Sequence, residues 1–233
     1  MNSNYQENME SRYDLELIVD LVNKKSKVLD IGCGNGDLLE LLVKNKKCDA
    51  RGIELSTHLV SKALSKGLSV IQGDAERDLE HYPDDTFDYA ILSHTIQATK
   101  RPDMVIKEML RIADRVIVSL PNFANFRNRF HLFFKGTMPV NESIPYQWYE
   151  TPNIHFCSIK DFKNLCYDMN IEINKERYLI GKCIINNHFA VNLIADYGVF
   201  LIEKDDSSTV KSPALASDQK KAVQMDSGNF QPA

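Results

Sequence analysis

The sequence predicts an α/β fold, a mainly parallel and doubly wound sheet with helices on both faces. Three observations carry that reading. Val28-Leu29-Asp30-Ile31 is a short apolar run that breaks into Gly32-Cys33-Gly34-Asn35-Gly36, with a leucine-rich segment directly after it. Two further apolar runs close on an acid, at Glu54 and at Asp74. Helical patterns alternate with these runs along the chain, and such alternation builds parallel sheets covered on two sides.

Taken in order, Leu15, Ile18, Val19 and Val22 fall at i, i+3, i+4 and i+7, a helix ahead of the first strand. The glycine segment reads as strand, tight turn, helix, where a Cβ would block both the turn and a ligand's approach. Leu38, Leu39, Leu41, Leu42 and Val43 give the helix over 37–47 a wide buried face. Arg51 to Leu55 is the second strand, and Ser56 is placed to cap a helix that Gly67 ends. Ser69 to Asp74 and Phe87 to Ser93 are the third and fourth strands. Pro102 suits the first turn of a helix carrying Val105, Met109 and Ile112. Val116 to Leu120 is a continuous apolar strand stopped by Pro121. Ser158 with Asp161 resembles a capping box, with Asp in place of Glu, ahead of Phe162, Leu165, Cys166 and Met169. Tyr197 to Ile202 is the last strand.

Composition divides the chain into a flexible N-terminus at 1–10, one domain over 11–203, and a tail over 204–233. The tail is rich in Ser, Asp, Lys and Gln without apolar period, and is expected to be disordered. Inside the domain, 122–156 has no place in a minimal cofactor fold. Phe123, Phe126, Phe130, Phe133 and Phe134 recur there at helical spacing, before the only tryptophan, Trp148. That face either packs on the core or serves as a lid or partner surface.

The net charge of −4 provides no basic field to hold nucleic acid. No apolar run reaches membrane-spanning length and no leader pattern opens the chain, so a cytoplasmic protein without membrane contact is expected. Five cysteines without a C-x-x-C indicate neither zinc nor a disulfide framework.

The acids narrow the ligand. Asp30, just before the glycine loop, would repel a pyrophosphate but suits a ligand carrying an ammonium and a sulfonium. Glu54 follows Gly34 by twenty residues, the spacing at which an acid grips ribose hydroxyls. Asp74 closes the next strand. Three acids at successive strand ends fit an adenosine-plus-amino-acid cofactor better than a dinucleotide. A catalytic base is not identified. His94 and His155 are candidates, each also readable as a hydrogen-bonded structural histidine. Neither an Asn/Asp-Pro-Pro-Tyr/Phe stretch nor a Pro-Cys nucleophile occurs.

On these residues the chain resembles the class I S-adenosylmethionine-dependent methyltransferases. Val28 to Gly36 is similar to their first motif, Glu54 to their ribose-binding acid, Gly73-Asp74-Ala75 to their adenine-edge motif, and Phe87 to Ser93 to their fourth strand. The resemblance implies a Rossmann-like, mainly parallel seven-stranded sheet whose last strand is antiparallel. It implies S-adenosylmethionine or S-adenosylhomocysteine as cofactor, held by Asp30, Gly32, Cys33, Gly34, Gly36, Glu54, Leu55, Gly73, Asp74, Ala75 and Ser93.

A closer resemblance is to the MetW methionine-biosynthesis family. It rests on Leu92 to Thr99, Val118 to Phe123, Met138-Pro139-Val140, Pro145 to His155 and Asn192 to Asp196. Position 94 departs from it, with histidine where glutamine is expected. This likeness implies a role in methionine synthesis beside MetX, an α/β-hydrolase-fold homoserine O-acyltransferase, as its partner. Two classes stay open: an interaction protein that binds the cofactor for structure or sensing, and an active methyltransferase on a small molecule.

Overall fold

The structure is a computed structural model, and it describes residues 13–141, 143–186 and 190–204. The expected N-terminal segment and tail lie outside those residues, apart from Lys204. Strands β1 (Lys27–Ile31), β2 (Asp49–Glu54), β3 (Ser69–Gln72), β4 (Phe87–Ser93) and β5 (Ala113–Pro121) are followed by β6 (Ile171–Ile180), β7 (Cys183–Ile185) and β8 (Tyr197–Lys204). They form one sheet in the order β3-β2-β1-β4-β5-β8-β6-β7. The first five pair in parallel, and β8 enters antiparallel between β5 and β6.

The sheet has eight strands rather than the expected seven. The additional one is β7, which turns back antiparallel on β6 as a short edge hairpin. No sequence pattern marked either strand. In β6, Ile171 and Ile173 begin a clean alternation, then the register slips between Ile173 and Lys175 into a charged stretch. A bulge of that kind breaks the period-two signal.

Alternate residues of the central strands feed two separate cores. Leu29, Ile31, Leu92, Val116 and Val118 face one, with α5 (Pro102–Ile112) and α7 (Ile159–Asp168). Val28, Tyr89, Ile91 and Ile117 face the other, with α1 (Tyr13–Leu21), α2 (Asp37–Leu41) and α3 (Thr57–Ser65). Burial on both faces is why β4 and β5 read as continuous apolar runs. The short helices α4 (Ala75–Asp78) and α8 (Val191–Ile194) and the amphipathic α6 (Phe126–Lys135) are the remaining α-helices among the described residues.

Local chemistry mostly follows the residues. Pro102 opens α5, and the capping box at Ser158 and Asp161 is complete. The helix expected over 37–47 begins as α2, then widens into a π turn over Leu42–Lys46 that Lys47 ends at φ +58°. Ser56 precedes α3 without a side-chain cap; its backbone N–H donates to Glu54 Oε1 instead, at 2.8 Å.

Candidate functional site

The order of strands reverses between β1 and β4, and a ligand crevice opens there past the strand C-termini. A small open cleft lies at that point, lined by Leu15, Asp30, Gly32, Cys33, Gly34, Asn35, Asp37, Leu38 and Ser93. Five expected cofactor residues, Asp30, Gly32, Cys33, Gly34 and Ser93, therefore share one wall.

The loop is held by its neighbour strand. The Gly32 and Cys33 N–H groups donate to Ile53 O at 2.8 and 3.2 Å, and the Gly34 N–H donates to Glu54 Oε2 at 2.9 Å. Gly32 has φ +71°, and a Cβ there would lie 2.6 Å from Thr95 Oγ1. Gly34 has φ +57° and faces open space, so the loop tip keeps room for a ligand. Gly36 has a different duty: at φ +84° it turns the chain into α2, with a Cβ there directed at Leu68.

The second group of expected residues forms the rim. Glu54 is buried, and one carboxylate braces the glycine loop through Gly34 while ordering the start of α3 through Ser56. A carboxylate has about four acceptor positions, so two backbone donors leave capacity for a vicinal diol. Leu55 stands exposed beside it. The Gly73 N–H donates to Glu54 O at 3.0 Å, which ties the third strand's end to the second. Asp74 caps α4 by accepting from the Glu76 N–H at 3.0 Å, and Ala75 starts that helix against the core.

The cleft's field is negative. Burial first, then the carboxylates of Asp30 and Glu54, pushes the Cys33 thiol far above its ordinary range. Cys33 is thus a neutral packing group there and no nucleophile. Two buried acids around an open glycine loop fit a cationic, hydroxyl-bearing ligand, and oppose a phosphate.

The histidines resolve differently. His94 follows Ser93 with φ +52°. Its Nε2 lies 3.2 Å from Asp14 Oδ2, and its ring stacks on Tyr197 at 4.9 Å and 2°. This imidazole links α1 to the C-terminal end of β4. Its buried partner Asp14, like Leu15 of the cleft wall, comes from a helix whose sequence showed only apolar period. His155 lies away from this wall, in a small cavity with Gln97, Phe123, Asn153 and Phe156. The carbonyl of Gln97 accepts from both the Ile154 and His155 N–H groups, at 2.8 and 3.0 Å. The segment after β4 so fastens the 153–157 stretch.

With this geometry in view, comparison with known proteins is decisive at family level. The family model described as methionine biosynthesis protein MetW matches residues 12–202. The chain belongs to the MetW family. A bifunctional methionine biosynthesis protein MetXA/MetW from Rhodopirellula baltica is 33% identical over 172 residues, covering 70% of this chain. The chain spans only 28% of that longer relative. A demethylmenaquinone methyltransferase from Bacillus subtilis is 26% identical over 179 residues, covering 69% of this chain and 77% of its own length. A solved S-adenosylmethionine-dependent methyltransferase from Thermotoga maritima, titled a possible histamine N-methyltransferase, superposes with a TM-score of 0.60 at 20% identity. That match covers 82% of this chain and 88% of the other, and it establishes the class I methyltransferase fold. Among the described residues no helix is long and apolar enough to cross a membrane.

Proposed function

We propose that this MetW-family chain binds S-adenosylmethionine in the cleft past β1 and β4 and acts as the partner of a MetX homoserine O-acyltransferase in the cytoplasm. The observation that carries the cofactor assignment is the acidic cradle. In this reading Asp30 accepts from the ammonium of the amino-acid moiety and Glu54 from the ribose hydroxyls. Leu55 covers the adenine face, with Gly73, Asp74 and Ala75 along its edge. The backbone of Gly32, Cys33 and Gly34 lets the cofactor approach, and Ser93 closes the β4 side. When bound, the cofactor supplies a sulfonium-activated methyl group.

The partner assignment is supported by the Rhodopirellula relative, whose name joins MetXA and MetW in one polypeptide. Acylation of homoserine consumes no methyl group, so a cofactor bound here acts as a brace or as a report of methionine supply.

The test is homoserine O-acyltransferase turnover by the same organism's MetX, with and without this chain, at zero and saturating S-adenosylmethionine. A gain on adding the chain supports the partner role, and cofactor dependence of that gain supports sensing. Unchanged turnover with both proteins folded removes the partner role.

A further inference from the structure

Helix α6 is inverted relative to an ordinary surface helix, which buries its apolar stripe and exposes its polar one. Its only buried residue is Asn128. Phe130, Phe133 and Phe134 are 58, 81 and 72% exposed, with Phe126 at their edge. These four sit at i, i+4, i+7 and i+8, on one face. Phe130 and Phe134 stack at 5.8 Å and 4°, while Phe133 meets Phe134 edge-on at 4.9 Å.

The body side of α6 is held by amides. Asn125 accepts from the Arg127 N–H at 2.9 Å, and its Nδ2 donates to Asp196 Oδ1 at 2.9 Å. Asn128 Nδ2 donates to Phe123 O at 3.1 Å, while its Oδ1 accepts from Asn141 Nδ2 at 2.8 Å. The helix is therefore fixed with its rings pointing away from both cores. Taking roughly 200 Å2 per aromatic side chain, the three most exposed rings present roughly 400 Å2 of apolar surface, the size of patch that marks an interaction site. Arg129 and Lys135 flank it, Arg127 lies 3.6 Å from the Asp196 carboxylate, Arg129 Nε donates to Ala124 O at 2.6 Å, and α6 itself contains no acid.

We propose that this aromatic face is where the MetX-type partner docks, presenting an apolar groove with a carboxylate rim. The assignment rests on the partner role proposed above. The Rhodopirellula relative is what favours a protein occupant over a lipid surface, since its name places a MetXA part and a MetW part in one chain. Aromatic anchors framed by arginine are also the composition of binding hot spots.

The test measures binding of the full chain to the same organism's MetX by calorimetry, for wild type and for the Phe130→Ser/Phe133→Ser double variant. Both rings are exposed, so the variant should keep its melting temperature and its affinity for S-adenosylhomocysteine. Wild-type binding weakened about a hundredfold in the variant is the expected result. Equal binding by both overturns the surface assignment and leaves the partner role standing. No binding by folded wild type removes the partner role and this assignment together. Sedimentation of the chain with phosphatidylcholine/phosphatidylglycerol vesicles, or a wild-type dimer that the same variant dissociates, would give the face to a membrane or a second copy and overturn the proposal.

Discussion

Replacing Glu54 by glutamine isolates the charge at the hinge of the proposed cofactor site. In the wild type one oxygen accepts from the Gly34 N–H at 2.9 Å and the other from the Ser56 N–H at 2.8 Å. Glutamine preserves the shape but has one acceptor oxygen, so its NH2 must face one of those backbone donors. Hydrogen bonds to a charged group contribute about 1.5–3 kcal/mol each, against about 1 kcal/mol for a neutral pair. Losing one brace and weakening the other should lower stability by about 2 kcal/mol. The ribose hydroxyls lose the same charge, so S-adenosylhomocysteine affinity should fall by about 2.8 kcal/mol, about a hundredfold in Kd. Calorimetric titration reads the second effect and thermal unfolding the first. Glu80→Gln, at an exposed carboxylate, is the control that should change neither. A lowered melting temperature with Kd within about threefold of wild type would show Glu54 to be a brace alone and refute its role as ribose acceptor.

Three further perturbations test other parts of the framework. Gly52→Ala would place a Cβ 2.5 Å from Cys33 Sγ and 2.8 Å from Leu39 Cδ1, so it should cost about 1–3 kcal/mol by overpacking and weaken cofactor binding through the displaced loop; wild-type values in both assays would contradict the packing. Asn122→Ala should destabilise by about 2–4 kcal/mol in urea unfolding. Its Nδ2 serves the carbonyls of Asn192 and Ala195 at 3.0 and 2.9 Å from a fully buried position. A loss under about 0.5 kcal/mol would mean that those carbonyls find other donors. Alkaline pH should destabilise the fold through Cys166, whose thiol burial pushes from 9.0 up to about 12. Above the unfolded value the unfolded chain releases a proton that the native state keeps, so the contribution of Cys166 is intact below about pH 9 and falls by about 1.4 kcal/mol per unit beyond it. Cys33, Cys48 and Cys157 are shifted in the same direction, so Cys166→Ala should reduce the slope between pH 9 and 10.5 by up to about 1.4 kcal/mol per unit without abolishing it, and an unchanged slope would assign it wholly to the other groups.

The glycine loop and strand ends that frame the candidate cleft were legible because their signals are local. A glycine loop after an apolar run, and acids closing three runs, specify backbone geometry within a few residues of themselves. Long-range partners were not legible. Nothing around Asp14 announces His94, eighty residues on, and Asn122 and Asn125 meet their acceptors only after the chain returns at 192–196. The phenylalanines of α6 have the spacing of a buried face, and the structure turns that face outward. The competing signal was the asparagines at 122, 125 and 128, whose amides hold the inner side. Of the two readings of that helix, packing on the core fails for Phe130, Phe133 and Phe134.

The cysteines have a practical consequence. Cys33, Cys48 and Cys166 are buried, Cys157 is half-covered, and burial raises the thiol pKa of all four. Cys183 alone stands exposed, on the edge hairpin β6–β7. Maleimide dyes attack thiolates at the surface, so the unmodified chain carries one preferred labelling position. The hairpin's turn is moored where α6 begins: the Gly181 N–H donates to Asp196 Oδ2 at 2.7 Å, and the other oxygen of the same carboxylate holds Asn125. A fluorophore on Cys183 is therefore a native reporter placed two hydrogen bonds from the cap of the aromatic helix.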